Sequence, residues 1–358
     1  SLCLAFVSLG FADAAMSDEP TFQAGAAMSN ITPPIVPNPT ARTSKRQATH
    51  VHDELHARCL VLDDGQSRLA LVVCDLRHIS AEVVVNAKQI IQQSTGIPPE
   101  CVLVSATHTH TSSGAKLDDS EGQSYYDYRA FLTRRIADGV QRAVNQLQPA
   151  RIGWGVAEEP TQVFNRRWFL MPSRGTIYGA HDNIEQVDTN PGYSGLLRPA
   201  GPVDPQITFL AVQSTDGKPI ALLASYGLHY VGGVPANTIS ADYFAIFADR
   251  MGELLGADRY QDPPFVGIMA NGTSGDVNNI ARYSEEELKQ RGPQPKKRYQ
   301  PFEKAREVAH LCAERVMQVH QSLKWHDHVQ LSSVQRTLTF ERRYPTKEEV
   351  TWAEAVKA

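Results

Sequence analysis

Val102-Leu-Val-Ser-Ala-Thr-His-Thr-His-Thr-Ser-Ser-Gly114 carries an apolar, β-branched run straight into two histidines and a small polar loop. Such a run reads as a buried strand, and side chains two apart on a strand share a face. The expectation is that His108 and His110 present both imidazoles side by side where strand meets loop. Imidazole is the commonest metal ligand and a general base near neutrality. The spacing therefore suits a mononuclear metal site, with one His as ligand and the other as base or substrate contact. The plain alternative is a pair of strand-end histidines satisfied by backbone.

Around this stretch the chain alternates strands and helices. Ala57–Leu62 and Leu69–Asp75 are nearly continuous apolar runs joined by Asp63-Asp-Gly-Gln-Ser67, a hairpin buried on both faces. A second hairpin joins Asp204–Gln213 to Ile220–Ser225 across Thr215-Asp-Gly217, and its outgoing strand runs into Tyr226-Gly-Leu-His229. This is a second strand ending on a histidine. Further strands are expected over Phe22–Pro34, Arg151–Val156, Phe265–Ala270 and, in polar alternation at an edge, Val329–Arg342. Helical spacing marks Ser80–Ser94, Tyr125–Leu147, Asp242–Leu255, Phe302–Leu323 and Thr346–Ala358. The fold class is α/β, with mixed β-sheets, hairpins and flanking helices, and not a plain doubly wound sheet. Residues 157–204 are irregular, and a long aperiodic loop in a compact domain is usually functional or mobile.

Other chemistry-bearing residues cluster at strand ends. Asp75 closes a buried strand; it either accepts the second ring N–H of a metal-bound histidine or starts the next helix. Arg166, within Asn165-Arg-Arg-Trp168, can clamp an anionic or carbonyl group or lie on the surface. Asn271-Gly-Thr-Ser-Gly-Asp-Val-Asn-Asn-Ile280 lets backbone approach a ligand as an oxyanion hole needs, or makes a plain turn. Asp276 is its only acid and a candidate for orienting a ligand from behind.

The 358 residues are 42% apolar and 21% charged with a formal net charge of −4, so nothing in the charge balance points to nucleic acid or an anionic membrane. Five cysteines form no CxxC pair, and free buried thiols are expected of Cys59, Cys74, Cys101 and Cys312. Leu2–Ala12 followed by Ala12-Asp-Ala14 has the form of a secretory leader, remnant residues 1–15, too short to span a membrane. A secreted or periplasmic location follows. No other run approaches membrane length. The chain opens on Ser1 and stops within an expected helix, so residues 20–358 are read as one catalytic domain incomplete at its C-terminus.

Taken in order, Gly25-Ala-Ala27, Ile31-Thr-Pro-Pro34, Ala106-Thr-His-Thr-His-Thr111, Asn165-Arg166, Asp204-Pro205, the strand into His229 and Gly275-Asp-Val277 resemble the N-terminal catalytic domain of the neutral/alkaline, non-lysosomal ceramidase family. The resemblance implies one zinc ion and hydrolysis of an amide to fatty acid and sphingosine. It implies His108 and His229 as zinc ligands, His110 as a proton handler beside the metal, and Arg166 near the bound scissile group. It places the remaining ligands, a glutamate and a tyrosine, in a later segment. The family's Gly-Asp-Val is followed by a catalytic serine; here that position is Asn278, which can hydrogen-bond a substrate carbonyl but cannot act as nucleophile. The reading is an exported zinc amidohydrolase acting on ceramide or another lipid or small-molecule amide, with transient membrane-surface contact. The alternatives are hydrolysis of a different amide or ester, another metal such as manganese or iron, or a non-catalytic exported binding protein of the same fold.

Overall fold

The Asp63–Ser67 turn shows how local chemistry sets the sheet. Asp63 Oδ1 accepts the Gly65 N–H at 2.8 Å, and Asp64 Oδ1 accepts those of Gln66 and Ser67 at 2.9 and 2.6 Å. Gly65 takes φ 82°, a left-handed conformation that glycine reaches without a Cβ penalty. The two apolar runs are thereby paired antiparallel from Ala57↔Cys74 to Asp63↔Arg68.

The computed structural model describes residues 21–35, 47–112, 123–171, 187–257, 260–291 and 298–357. In chain order its elements begin with β1 (Gln23–Asn30), β2 (His50–Val51), β3 (His56–Asp63), β4 (Arg68–Cys74), α1 (Ala81–Thr95), β5 (Val102–Ala106), α2 (Gln123–Asn145) and β6 (Gln148–Glu158). There follow β7 (Phe164–Asn165), β8 (Arg167–Leu170), β9 (Val187–Thr189), β10 (Leu196–Pro199), β11 (Gln206–Ser214), β12 (Pro219–Tyr226), β13 (Thr238–Ile239) and α3 (Asp242–Leu254). The last are β14 (Val266–Asn271), β15 (Val277–Asn278), α4 (Glu285–Arg291), α5 (Glu303–His320) and α6 (Lys347–Lys357).

Eight strands form one mixed sheet in the order β14-β12-β11-β6-β1-β3-β4-β5. Its middle is weak: β6 and β1 pair only at Gln23↔Pro149 and Ala24↔Gln148. There the sheet folds over on itself. Its two halves face each other across an apolar layer that includes Ala24, Leu60, Leu62, Val73, Val212 and Ile268. Helices cover both outer faces. Val83 and Ile91 of α1 and Leu132 and Ile136 of α2 pack on one half, while Phe244 and Phe247 of α3 and Val308 and Val316 of α5 pack on the other. The architecture is a four-layer α/β/β/α sandwich, with a mixed sheet and flanking helices as the sequence indicates.

Two glycines sit where backbones nearly touch. A Cβ on Gly25 would lie 2.2 Å from the Ala143 carbonyl, so β1 crosses the end of α2 without a side chain between them. On Gly267 it would lie 2.5 Å from the Ala248 carbonyl, so β14 meets α3 in the same way. Helix α1 starts on Ser80, whose side chain accepts the Val83 N–H, and stops at left-handed Gly96.

Two expectations are corrected. The segment 157–204 is not uniformly irregular: β8, β9 and β10 form a three-stranded sheet, and β7 pairs with β15. These strands have four residues or fewer, too short for a period-2 pattern to stand out. Conversely, Val329–Arg342 forms no strand. Its described contacts include single bonds, Leu331 N–H to Asp64 Oδ2 at 2.6 Å and Ser333 Oγ to the Glu100 carbonyl at 2.5 Å, with no ladder. Polar alternation alone does not make a strand without a neighbour to pair with. Lys289 and Arg291 lie in the last turn of the short helix α4. The leader expected over residues 1–15 lies outside the described residues. Cys59, Cys74, Cys101 and Cys312 are free thiols, all but Cys101 buried. Among the described residues no helix is long and apolar enough to cross a membrane.

Candidate metal centre

Parallel pairs put the site at one end of the sandwich. β5 runs parallel to β4, and β14 parallel to β12, so their carboxyl ends converge. β5 and β14 are the two edges of the folded sheet. Asn271, at the end of β14, joins those edges by donating from Nδ2 to the Thr107 carbonyl at 3.0 Å.

Beyond Ala106 the chain leaves the strand. Thr107 and His108 hold to the loop after β4 through Thr107 N–H to the Cys74 carbonyl and His108 N–H to the Leu76 carbonyl, both at 2.9 Å. His108 then takes φ 66°, an unusual left-handed conformation for a residue with a side chain. The strand alternation expected to align His108 and His110 is therefore not what does so. A kink brings their imidazoles together. The threonines between and after them are anchors: Thr109 and Thr111 hydroxyls donate to the Ser240 carbonyl at 3.1 and 2.9 Å. Thr-His-Thr-His-Thr thus alternates tethers with imidazoles.

His108 Nδ1–H donates to the Arg77 carbonyl at 2.7 Å, and His229 Nδ1–H to the Ser274 carbonyl at 3.0 Å. A carbonyl can only accept, so both rings carry their proton on Nδ1 and turn a bare Nε2 lone pair inward. His110 Nε2 lies 3.2 Å from His108 Nε2 and, facing an acceptor, is the donor. Its ring stacks on Tyr230 with centroids 3.9 Å apart. One ligand atom from each of His108, His110 and His229 falls within 4.8 Å of the others. Nitrogens bound at about 2.1 Å around a tetrahedral metal stand ~3.4 Å apart, so this triad fits a metal ion.

Burial pushes His110 down to about 3 and His229 to about 4; the Arg77 and Arg166 guanidiniums and the neighbouring histidines push the same way. Both imidazoles are neutral at pH 7, the form that ligates.

The remaining sequence-predicted residues surround the triad with different partners. Arg166 donates from Nε and Nη2 to the Gly275 carbonyl at 3.0 and 2.5 Å, and its backbone N–H to the Asp276 carbonyl at 2.7 Å. Asp276 Oδ2 accepts from Asn165 Nδ2 at 3.3 Å, so the acid braces the loop instead of orienting a histidine. Asn278 gives Nδ2 to Asn190 Oδ1 at 2.9 Å and receives the Ile280 N–H on Oδ1 at 3.0 Å, which engages both ends of its amide. The 271–279 loop contributes carbonyls that hold His229 and Arg166. Asp75 fills neither expected role. Its Oδ2 accepts the His56 N–H at 3.0 Å and lies 3.5 Å from Arg58 Nε, and the backbone of Arg77 does the work assigned to it. Arg77, Ser240 and Ser274 carried no sequence signal, since each acts here through its main chain or its charge. Tyr230 was legible as the neighbour of His229 but lacked a motif.

The profile of the neutral/alkaline non-lysosomal ceramidase family, N-terminal part, matches residues 22–288. The chain belongs to this family. Neutral ceramidase A of Dictyostelium discoideum is 24% identical over 310 residues, covering 79% of this chain and 40% of that protein. The neutral ceramidase of Pseudomonas aeruginosa shares the fold at a TM-score of 0.62 and 19% identity, over 86% of this chain and 46% of that one. A ceramidase complexed with C2 aligns at a TM-score of 0.60 and 19% identity, over 85% and 45%. The chain spans less than half the length of these relatives. The family's matched region includes His108, His110, Arg166, His229 and the 271–279 loop.

Proposed function

We propose that this chain carries half of the zinc site of an exported amide hydrolase of the ceramidase type. The observation that supports this most is the pair of Nδ1–H donations, from His108 to Arg77 and from His229 to Ser274, which leave both Nε2 atoms free to ligate. Those atoms would hold the metal. Bound there, zinc supplies a Lewis acid that polarises the amide carbonyl and acidifies water.

In this reading His110, neutral at pH 7, exchanges a proton at Nε2, the nitrogen that faces His108. The unused face of the Arg166 guanidinium steadies the carbonyl oxygen as it gains charge, with Gly275 fixing the arginine's orientation. Asp276 and Asn278 keep the loops in register through Asn165 and Asn190. The substrate is a ceramide-like N-acyl amide that meets the protein from a membrane surface or from solution. Export rests on the apolar run Leu2–Ala12.

The test is release of fatty acid from a short-chain ceramide by the protein at its natural length, with and without zinc. Turnover restored by zinc after chelation supports the reading. Tight ceramide binding without turnover would favour a binding protein, the outcome that an asparagine at 278 makes worth measuring.

A further inference from the structure

Both histidine loops are tied to one short stretch at the start of α3. Ser240 takes the loop of His108 and His110: its carbonyl accepts the Thr109 and Thr111 hydroxyls, and its N–H donates to the Thr111 carbonyl at 3.1 Å. Asp242 and Tyr243 take the loop of His229. Tyr243 Oη donates to the Leu228 carbonyl at 3.3 Å, one residue before His229. Asp242 Oδ1 accepts the Val231 N–H at 3.0 Å and Oδ2 the Gly232 N–H at 2.8 Å, just after Tyr230. His229 and Tyr230 are thus gripped before and behind by two consecutive residues of one helix start.

The Asp242 carboxylate does more than cap that helix. Capping asks for one acceptor, which serine or asparagine also supplies. Here Oδ1 takes the Tyr243 N–H at 2.7 Å, and the other two bonds reach eleven and ten residues back along the chain. Asp242 is wholly buried, and these three bonds offset the cost of burying its charge. Its backbone stands at φ 60°, with its N–H given to Ser240 Oγ at 3.0 Å. The turn that it holds reaches the candidate metal centre. Gly232 runs at φ 79°, a Cβ there would lie 3.3 Å from Cε2 of Tyr230, and the Tyr230 ring stacks on His110.

We propose that Asp242 is a positioning residue: through the 231–232 turn it sets Tyr230 against His110 and His229 against His108. The inference rests on the zinc-site reading and adds to it the residue that spaces the two histidine loops.

The experiment puts 3-fluorotyrosine in place of Tyr230 and reads its fluorine resonance in the zinc-free protein at its natural length, then titrates zinc by calorimetry. Asp242→Asn tolerates the left-handed backbone but has one acceptor oxygen and turns an amide donor toward a backbone N–H. It is expected to move the resonance at least halfway to its value in His110→Ala, where the stack is gone, and to weaken zinc on the order of tenfold or more. Tyr243→Phe, which removes one hydroxyl, is expected to move both readouts the same way by less, about threefold for zinc. Gly25→Ala, strained where β1 crosses α2, is expected to leave both at their wild-type values. A role for Asp242 in folding alone lowers the melting temperature and leaves resonance and zinc affinity unchanged, which overturns the proposal. Equal changes in Gly25→Ala, or a wild-type resonance equal to that of His110→Ala, overturn it too. If Asp242→Asn does not fold, Tyr243→Phe decides, and unchanged readouts there overturn the proposal. If the wild type takes up no zinc, the zinc-site reading fails on its own, and the resonance alone separates positioning from folding.

Discussion

The carbonyl of Arg77 accepts the Nδ1 proton of His108 at 2.7 Å, across a backbone kinked to φ 66° at the histidine. That bond fixes the tautomer and the direction of Nε2 together. The two functions can be separated by substitution. Asparagine tolerates the left-handed conformation and reproduces the bond to Arg77 but has no distal nitrogen. His108→Asn is expected to melt within about 2 °C of wild type, a change of under ~0.5 kcal/mol, while metal affinity falls by on the order of 100-fold or more. Calorimetry and a zinc titration check both halves.

Asn271 ties the two edge strands together through the Thr107 carbonyl. Asn271→Leu leaves that carbonyl without its donor, one residue before the first metal-ligand candidate. The expected loss is ~1–3 kcal/mol of stability, read from urea unfolding. An unchanged midpoint would mean that the edges are held by packing alone.

Gly25 lies where β1 crosses the end of α2, and a methyl group there would sit 2.2 Å from the Ala143 carbonyl. Backbone cannot yield as a side chain does. Gly25→Ala is expected to cost about 2–4 kcal/mol, and the same change at Gly96, which meets nothing within 4 Å but holds φ 75°, about 1 kcal/mol. Thermal unfolding of the pair separates steric from conformational cost.

Asp75 supplies a pH dependence. Burial raises its carboxyl from 3.8 to about 6, against the opposing pull of Arg58 and the His56 N–H. The folded state then binds this proton more tightly than the unfolded chain, so stability from this group is greatest below pH 4 and declines as pH rises to about 6. Its contribution is on the order of 1–3 kcal/mol. The urea midpoint is expected to fall between pH 5 and pH 7, and Asp75→Asn to flatten that slope. A slope of the opposite sign would place the carboxylate in a far better solvated setting.

Much of the architecture was legible because its signals are long. The runs Ala57–Leu62 and Ile220–Ser225 are buried on both faces, and their turns carry Asp-Gly chemistry that admits one register. The five long helices show 3.6-residue periodicity over many turns. The folding-over of the sheet was not legible, since it depends on β6 meeting β1 at two residue pairs far apart in sequence. At the site, His108, His110 and His229 were visible as imidazoles at strand ends, and the structure brings them together. The reason differs from strand alternation: it is a kink at His108 and carbonyls from Arg77 and Ser274. Main-chain acceptors leave no mark on side-chain identity, so no motif announces them. Asp75 misled for the complementary reason, because a buried acid before a metal-site loop has a satisfying explanation that its actual neighbour, Arg58, makes unnecessary.

The most direct measurement is metal content by elemental analysis of the purified protein at its natural length, beside His108→Ala and His229→Ala. The account predicts about one zinc per chain in the wild type and none in either variant at unchanged helix content. Zinc retained in full by both variants, or no metal in the wild type after exposure to zinc, would contradict it, leaving His108 and His229 held by backbone for the sake of the fold.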